Sequence, residues 1–363
     1  MPTTDAQPEF DAAKAEAFAE KLMTALNHGA LCLMLSIGHR TGLLDVMSGM
    51  PPAASDEIAK KAALDERYVR EWLSAMVTAR VVVFDPATKK FSLPAEHAAF
   101  LTRDSGSDNM AVYSQYVPVL ATVEEDIIHS FRNGGGVPYS RYSRFHEVMA
   151  EDSAQSVLFF LESHILPLVP GLTERLSKGI RVLDAGCGRG RALSKMASLY
   201  PRSRFVGMDL SEEATQFARR EAKEAGLSNV EFLAADLSEF DESAEPESFD
   251  FITTFDAIHD QAQPLRVLEG IQRALKSDGV YLMQDINGTS RLEKDLEHPA
   301  GTFLYAASLM HCMTVSLAQG GEGLGTMWGE QKTREYLQKA GFGSIVTHRL
   351  PHDFMNNWYV VTK

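Results

Sequence analysis

The sequence predicts an α/β fold: a Rossmann-like doubly wound sheet with a reversed C-terminal strand, preceded by a mainly helical winged-helix domain. Three observations carry that expectation. From Ile180 onward, apolar strand-like runs alternate with amphipathic helical ones, the order that builds a mostly parallel sheet covered on both faces. The first of those runs empties into a glycine-crowded turn, "VLDAGCGRG". The last two runs, "SIVTHRL" and "NWYVVTK", are separated by only a short link, so they should pair antiparallel and bring a reversed strand into the sheet.

A chain of 363 residues exceeds what one core normally serves. Its pattern divides into a winged-helix region (1–103), a helical connector and substrate cover (104–175) and the sheet domain (176–363), with a cover insertion at about 286–328. The formal net charge of -14 argues against nucleic acid as the main partner. Cys32, Cys187 and Cys312 are far apart and form neither a CxxC nor a Cys/His cluster, so no disulfide framework and no metal is expected. That cysteine usage and an acidic N-terminus without secretory order predict a cytoplasmic location. The most apolar segment, "FLYAASLMHCMTVSLAQGG", carries His311 and is too short of uninterrupted apolar residues for a membrane span.

In the first region, Leu22, Leu26, Leu33 and Ile37 recur at helical spacing. Ser55 is expected to cap one helix and Asp65 the next, whose apolar face is Val69, Trp72, Leu73, Met76 and Val77. "VVVFDPATKKFSLP" then reads as a hairpin turning at Asp85-Pro86. Helix, helix, hairpin is the outline of a winged helix. Residues 1–100 contain ten Lys and Arg against thirteen Asp and Glu, a poor phosphate-binding surface. A dimerisation and substrate-covering role is favoured, and a homodimer is expected. In the connector, Gly134–Gly136 reads as a flexible loop, since no strand precedes it.

In the sheet domain, "IRVLDA", "RFVGMD", "VEFLAA", "FDFITTF" and "GVYLMQDI" read as strands, with "EEATQFARREAKEAG" and "PLRVLEGIQRALKS" among the helices between them. Acids stand at three successive strand ends. Asp184, before Gly186, Gly188 and Gly190, would repel a pyrophosphate but suits a ligand carrying an ammonium and a sulfonium. Asp209 ends the next strand, where an acid accepts hydrogen bonds from ribose hydroxyls, and Asp236 follows the third, where an adenine amine would lie. Capping is the alternative role for Asp209 and Asp236 taken singly.

At these residues the chain resembles the class I S-adenosylmethionine-dependent methyltransferases. "VLDAGCGRG", "GMDLS", "AADLSEF" and "FDFITTFDAIHD" match the family's motifs in order and spacing across residues 180–363. The resemblance implies S-adenosyl-L-methionine as cofactor. Asp184 and the Gly186–Gly190 turn would face its methionine portion, Asp209 with Leu210 the ribose end, Asp236 and Leu237 the adenine, while Phe255 and Asp256 would line the pocket. "AIHDQAQP" is similar to the "HDWSDE" stretch of small-molecule O-methyltransferases that carry an N-terminal helical dimerisation domain, which puts their base histidine at His259. Gln261-Ala262-Gln263 departs from that acidic pattern, so His259 is read either as the base or as a cap of the next helix.

On the acceptor side, His146 among Tyr139, Tyr142 and Phe145, and His311 between Met310 and Met313, are read either as core histidines or as acceptor-side groups. Aromatic and methionine residues in the insertion suggest an apolar or aromatic acceptor. Two functions follow: methyl transfer to a small organic molecule, with O-methylation favoured, or a winged-helix transcriptional regulator using the sheet domain as a cofactor sensor.

Overall fold

The computed structural model describes residues 10–363; the acidic opening segment lies outside the described residues. The chain separates into two compact units between Pro118 and Val119. This contact-based division is coarser than the three regions read from the sequence. Residues 104–118 go with the first unit, where Ala111 joins its core, and the connector from 119 onward goes with the sheet, where Val157, Leu161, Ile165 and Leu166 join the core of one sheet face.

In the first unit, α1 (Ala12–Thr41) starts at Asp11, whose carboxylate accepts from the Ala13 and Lys14 amides, and stops at Gly42 in the left-handed region (φ 74°). Then come α2 (Leu43–Ser48), α3 (Ser55–Ala62) and α4 (Glu66–Thr78). Ser55 does not cap α3: it is the first helical residue, and its hydroxyl donates to Glu66, while Glu57 reaches back to the Ala54 amide at 2.8 Å. Asp65 does cap α4, accepting from Arg67 and Tyr68. Val69, Trp72, Leu73 and Met76 are buried as the period-3.6 pattern requires, and Trp72 Nε1 donates to the Met34 carbonyl at 2.8 Å. β1 (Val83–Asp85) and β2 (Lys90–Ser92) form the hairpin, with Asp85 accepting from Ala87 and Thr88 in its turn. On α4, Arg67 pairs with Glu71 and Arg70 with Glu66, so acids on the same helix neutralise its basic side chains.

The second unit is built on seven strands: β3 (Arg181–Ala185), β4 (Arg204–Asp209), β5 (Val230–Ala234), β6 (Phe249–Phe255), β7 (Leu275–Ile286), β8 (Ser344–His348) and β9 (Asn356–Thr362). Their order is β5-β4-β3-β6-β7-β9-β8. β3 to β7 run parallel and β9 is reversed between β7 and β8, as the short terminal link requires. The order reverses beside β3, so the crevice at the carboxyl ends of β3 and β6 is where a ligand binds in such sheets. One core, with Leu183, Ile252, Leu268 and Tyr281, lies on one face; the other holds Val182, Phe205, Phe251 and Trp358.

The glycine triplet is not a free loop throughout. A Cβ on Gly136 would collide with backbone of the 314–318 segment, and the Val137 amide donates to both the carbonyl and the hydroxyl of Thr314. Gly301–Ala318 has the length and mean hydropathy (1.2) of a membrane-crossing helix, with 39% of it buried. Inside the unit, however, it carries a π-helical turn at Ser308–Cys312 and hydrogen-bonds to the connector and to Gln261 through Met310, Thr314 and Ser316.

The β3-to-helix crossing depends on Gly190, the residue that begins the helix Arg191–Leu199. It has φ 64°, and a Cβ there would enter the Phe232 ring. Gly190→Ala should therefore destabilise the protein by about 2–4 kcal/mol, left-handed strain and overpacking together. Urea unfolding checks this, with Gly226→Ala as control for φ alone, since φ is 68° there with nothing near the Cβ position.

Candidate active site

The turn after β3 is closed by its own backbone. The amides of Gly186 and Cys187 both donate to the Met208 carbonyl at the end of β4, at 2.8 and 3.0 Å, and the Gly190 amide donates to Cys187. Gly186 and Gly190 are tight against Ala257 and Phe232, whereas the Cβ side of Gly188 faces open space. Asp209 accepts from the Gly188 amide at 2.7 Å and from Ser211 at 2.8 Å, one bond on each oxygen. It is half-buried and keeps lone pairs free for a diol. Asp236 is exposed and accepts from Ser238, a local turn bond, with Leu237 buried behind it. Leu210 is 47% exposed, an apolar surface on the rim between Asp209 and Asp236.

Asp184 is buried, takes the Thr253 hydroxyl at 2.8 Å, and burial pushes its carboxyl up to about 7. The open Gly188, the half-buried Asp209 and the apolar Leu210 together fit an adenosine-bearing ligand, with Asp209 and Asp236 as hydroxyl and amine acceptors.

At the carboxyl end of β6, Phe255 packs edge-on against Trp358, and Asp256 turns into the left-handed region at φ 49°. Three residues on, His259 is 3% exposed and its Nδ1 lies 2.8 Å from Oδ1 of Asp285, near the end of β7. The helix Pro264–Ala274 is led by Gln263, so His259 does not cap it. An ionised Asp285 makes Nδ1 the protonated nitrogen and leaves Nε2 as the basic one. Burial works against an imidazolium here. The adjacent Asp285 carboxylate, with Cys312 in hydrogen-bond reach of the ring, outweighs that and holds the proton affinity of His259 well above the usual histidine range. Burial keeps Cys312 a thiol.

The acceptor-side residues come together within the same unit. His311 is 2% exposed and stacks on Phe145 at 3.5 Å, with Tyr139 and Tyr142 edge-on at 5.0 and 4.8 Å. Neither of its ring nitrogens has a hydrogen-bond partner, and burial drives its pKa well down, so it is neutral. Tyr139 stacks on His146 and donates to Asp260, whose carboxyl burial raises to about 6. Met310 contributes its carbonyl to the Tyr142 hydroxyl. Sequence reasoning missed Asp285, Cys312 and Trp328 as site residues. An acid at the end of an otherwise apolar strand was the available signal for Asp285, because an acid is almost never buried without partners.

Residues 29–103 match the model of the Rv2258c-like winged HTH domain, and residues 176–341 match a methyltransferase domain. Among curated relatives, the ubiquinone biosynthesis O-methyltransferase of Actinobacillus pleuropneumoniae serotype 5b (strain L20) is 32% identical over 114 residues, 31% of this chain and 47% of that protein. The chain thus spans about half the length of the curated relatives it matches most strongly. Among solved structures, an O-methyltransferase-like protein from Nostoc punctiforme PCC 73102 superposes with a TM-score of 0.71 at 18% identity, covering 95% of this chain and 98% of that one. Human N-acetylserotonin methyltransferase, solved with S-adenosylmethionine, gives 0.68 at 17%, covering 99% of each. At that identity the likeness is one of fold. The chain therefore joins an N-terminal segment that matches a winged helix-turn-helix domain to a segment that matches a methyltransferase domain.

Proposed function

We propose that the protein transfers the methyl group of S-adenosylmethionine to a hydroxyl on a small aromatic or apolar molecule. The observation that carries this reading is the His259–Asp285 pair at the carboxyl end of β6 and β7, beside the glycine turn. When bound, the cofactor would supply an electrophilic methyl on a sulfonium, with the neutral thioether as the leaving group. Asp209, ordered by Gly188 and Ser211, holds the ribose; Asp236 with Leu237 reads the adenine; Gly188 gives the close approach; Phe255 closes the wall. His259 takes the acceptor proton at Nε2, and Asp285 fixes the tautomer and stabilises the imidazolium. The ring cluster of Phe145, Tyr142 and His311 favours an aromatic acceptor, with His146 and Met310 behind it. No observation favours the regulator reading, since the basic side chains of α4 are paired with its own acids.

We further propose a homodimer. Phe18, Leu22, Leu26, Leu33 and Ile37 form one stripe along α1, and each is at least 40% exposed. Three separated free cysteines support a reducing, cytoplasmic setting.

Asp209→Ala should weaken S-adenosylhomocysteine binding by about 1.5–3 kcal/mol, the scale of hydrogen bonds to a charged group; calorimetry measures it. His259→Ala should lower kcat on a hydroxyl acceptor about 10²–10⁴-fold while leaving cofactor affinity nearly unchanged. The reactive base is the unprotonated ring, and its proton affinity is raised. In the wild type, kcat/KM should therefore climb with pH along a limb centred above 6.5, the ordinary histidine value. Asp285→Asn should move that limb to lower pH. A double Leu22→Asp, Leu26→Asp change should convert a dimer to a monomer in light scattering, and an unaltered mass would place the interface elsewhere.

A further inference from the structure

Asp285 uses its two oxygens unequally. Oδ1 accepts three N–H groups: the Ile286 amide at 2.8 Å, His259 Nδ1 at 2.8 Å and Trp328 Nε1 at 3.0 Å. Oδ2 is buried and has no hydrogen-bond partner. A second orphan lies close by: Oδ1 of Asp256 is also buried and unpartnered, and Asp256, His259 and Asp285 each bring a polar atom to within 4.8 Å of the others. Two ionised carboxylates at that range, one with no exposed surface and the other half-buried, repel strongly, and a proton on one of them relieves the repulsion. Three N–H donors stabilise the ionised form of Asp285, which leaves the proton on Asp256.

We propose that Asp256 is a positioning residue for the base: un-ionised, it donates a hydrogen bond to Oδ2 of Asp285 and thereby fixes the carboxylate that orients His259. This rests on the reading of His259 as base. Asp256 draws charge density from Asp285, so it lowers the proton affinity that Asp285 would otherwise impose on His259. The imidazole is kept available closer to neutrality. When the acceptor proton arrives at Nε2, the imidazolium forms against Asp285, and the Asp256 proton stays where it is. The backbone supports the assignment. Asp256 is in the left-handed region, a conformation unfavourable for a residue with a Cβ, and its amide is tied to the Gln284 carbonyl at 3.1 Å, which fixes where its carboxyl sits. Burial and the Asp285 charge raise its pKa, in the same direction.

The remaining groups around the pair are accounted for. Asp152 and Asp353 act on Asp256 at longer range and favour its neutral form. Asp260, Cys312 and His311 face His259; burial keeps Cys312 a thiol and His311 neutral, and Asp260 is raised to about 6. A divalent cation held by the same three side chains is the competing reading. It would need His259 Nδ1 as a lone pair, whereas Nδ1 and Trp328 Nε1 both approach the same Asp285 oxygen as donors.

The test is a pH titration of histidine-¹⁵N-labelled protein by NMR, with the His259 resonances assigned through His259→Gln. Asp256→Asn retains a donor to Asp285 and should keep the His259 pKa near its wild-type value; Asp256→Ala should raise it by about one unit or more. The infrared band of a protonated carboxyl should be present in the wild type and reduced in Asp256→Asn, a comparison that does not need the alanine variant to fold. An unmoved His259 pKa in Asp256→Ala, or an unchanged infrared band, overturns the proposal. So does selective broadening of His259 by micromolar Mn²⁺, which would mark a cation site. If the NMR pKa shifts but the acid limb of kcat/KM does not follow, the positioning role stands and the base assignment fails.

Discussion

Asp285 is the constraint on which the site is arranged. A carboxylate with no exposed surface loses several kcal/mol of hydration, and it is tolerated only because donors replace the water. Those donors come from three separate places: its own strand, the loop after β6 through His259, and the turn before the helix Gly329–Lys339 through Trp328. Burying one charge therefore locks the position of His259, the end of β7 and the start of the last helix together. Removing any one donor leaves part of the charge unpaid.

The glycine turn shows a division of labour within one short motif. Gly186 and Gly190 are required by the protein's own packing, against Ala257 and Phe232. Gly188 alone faces open space, and its amide is held by Asp209. A motif usually described by what it binds is here two-thirds a packing device. Asp184, at the end of β3 just before the turn, is buried and bonded to Thr253.

Much of the fold was legible because it rests on local patterns. The alternation after Ile180, the Asp65 cap and the short terminal link each specify backbone geometry within a few residues. Ser55 was misplaced by one position because its hydroxyl donates to Glu66, eleven residues on, while Glu57 takes the Ala54 amide at the helix start. At the site, the motif singled out His259 as a candidate but not its partner, because Asp285 lies 26 residues on and meets it only through the pairing of β6 with β7. The packing of residues 119–175 was likewise hidden, since nothing in that segment reveals that its leucines and valines help complete the core of the sheet.

The crossing at Gly136 ties two segments of the second unit together. Because that glycine is wedged against the backbone of 314–318 and Val137 is doubly bonded to Thr314, the connector and the inserted cover are stitched at this point. Tyr142 adds a further stitch at Met310. The cover and the connector therefore form one two-ply layer: a displacement of residues 310–314 that exposes His311 must carry residues 137–142 with it.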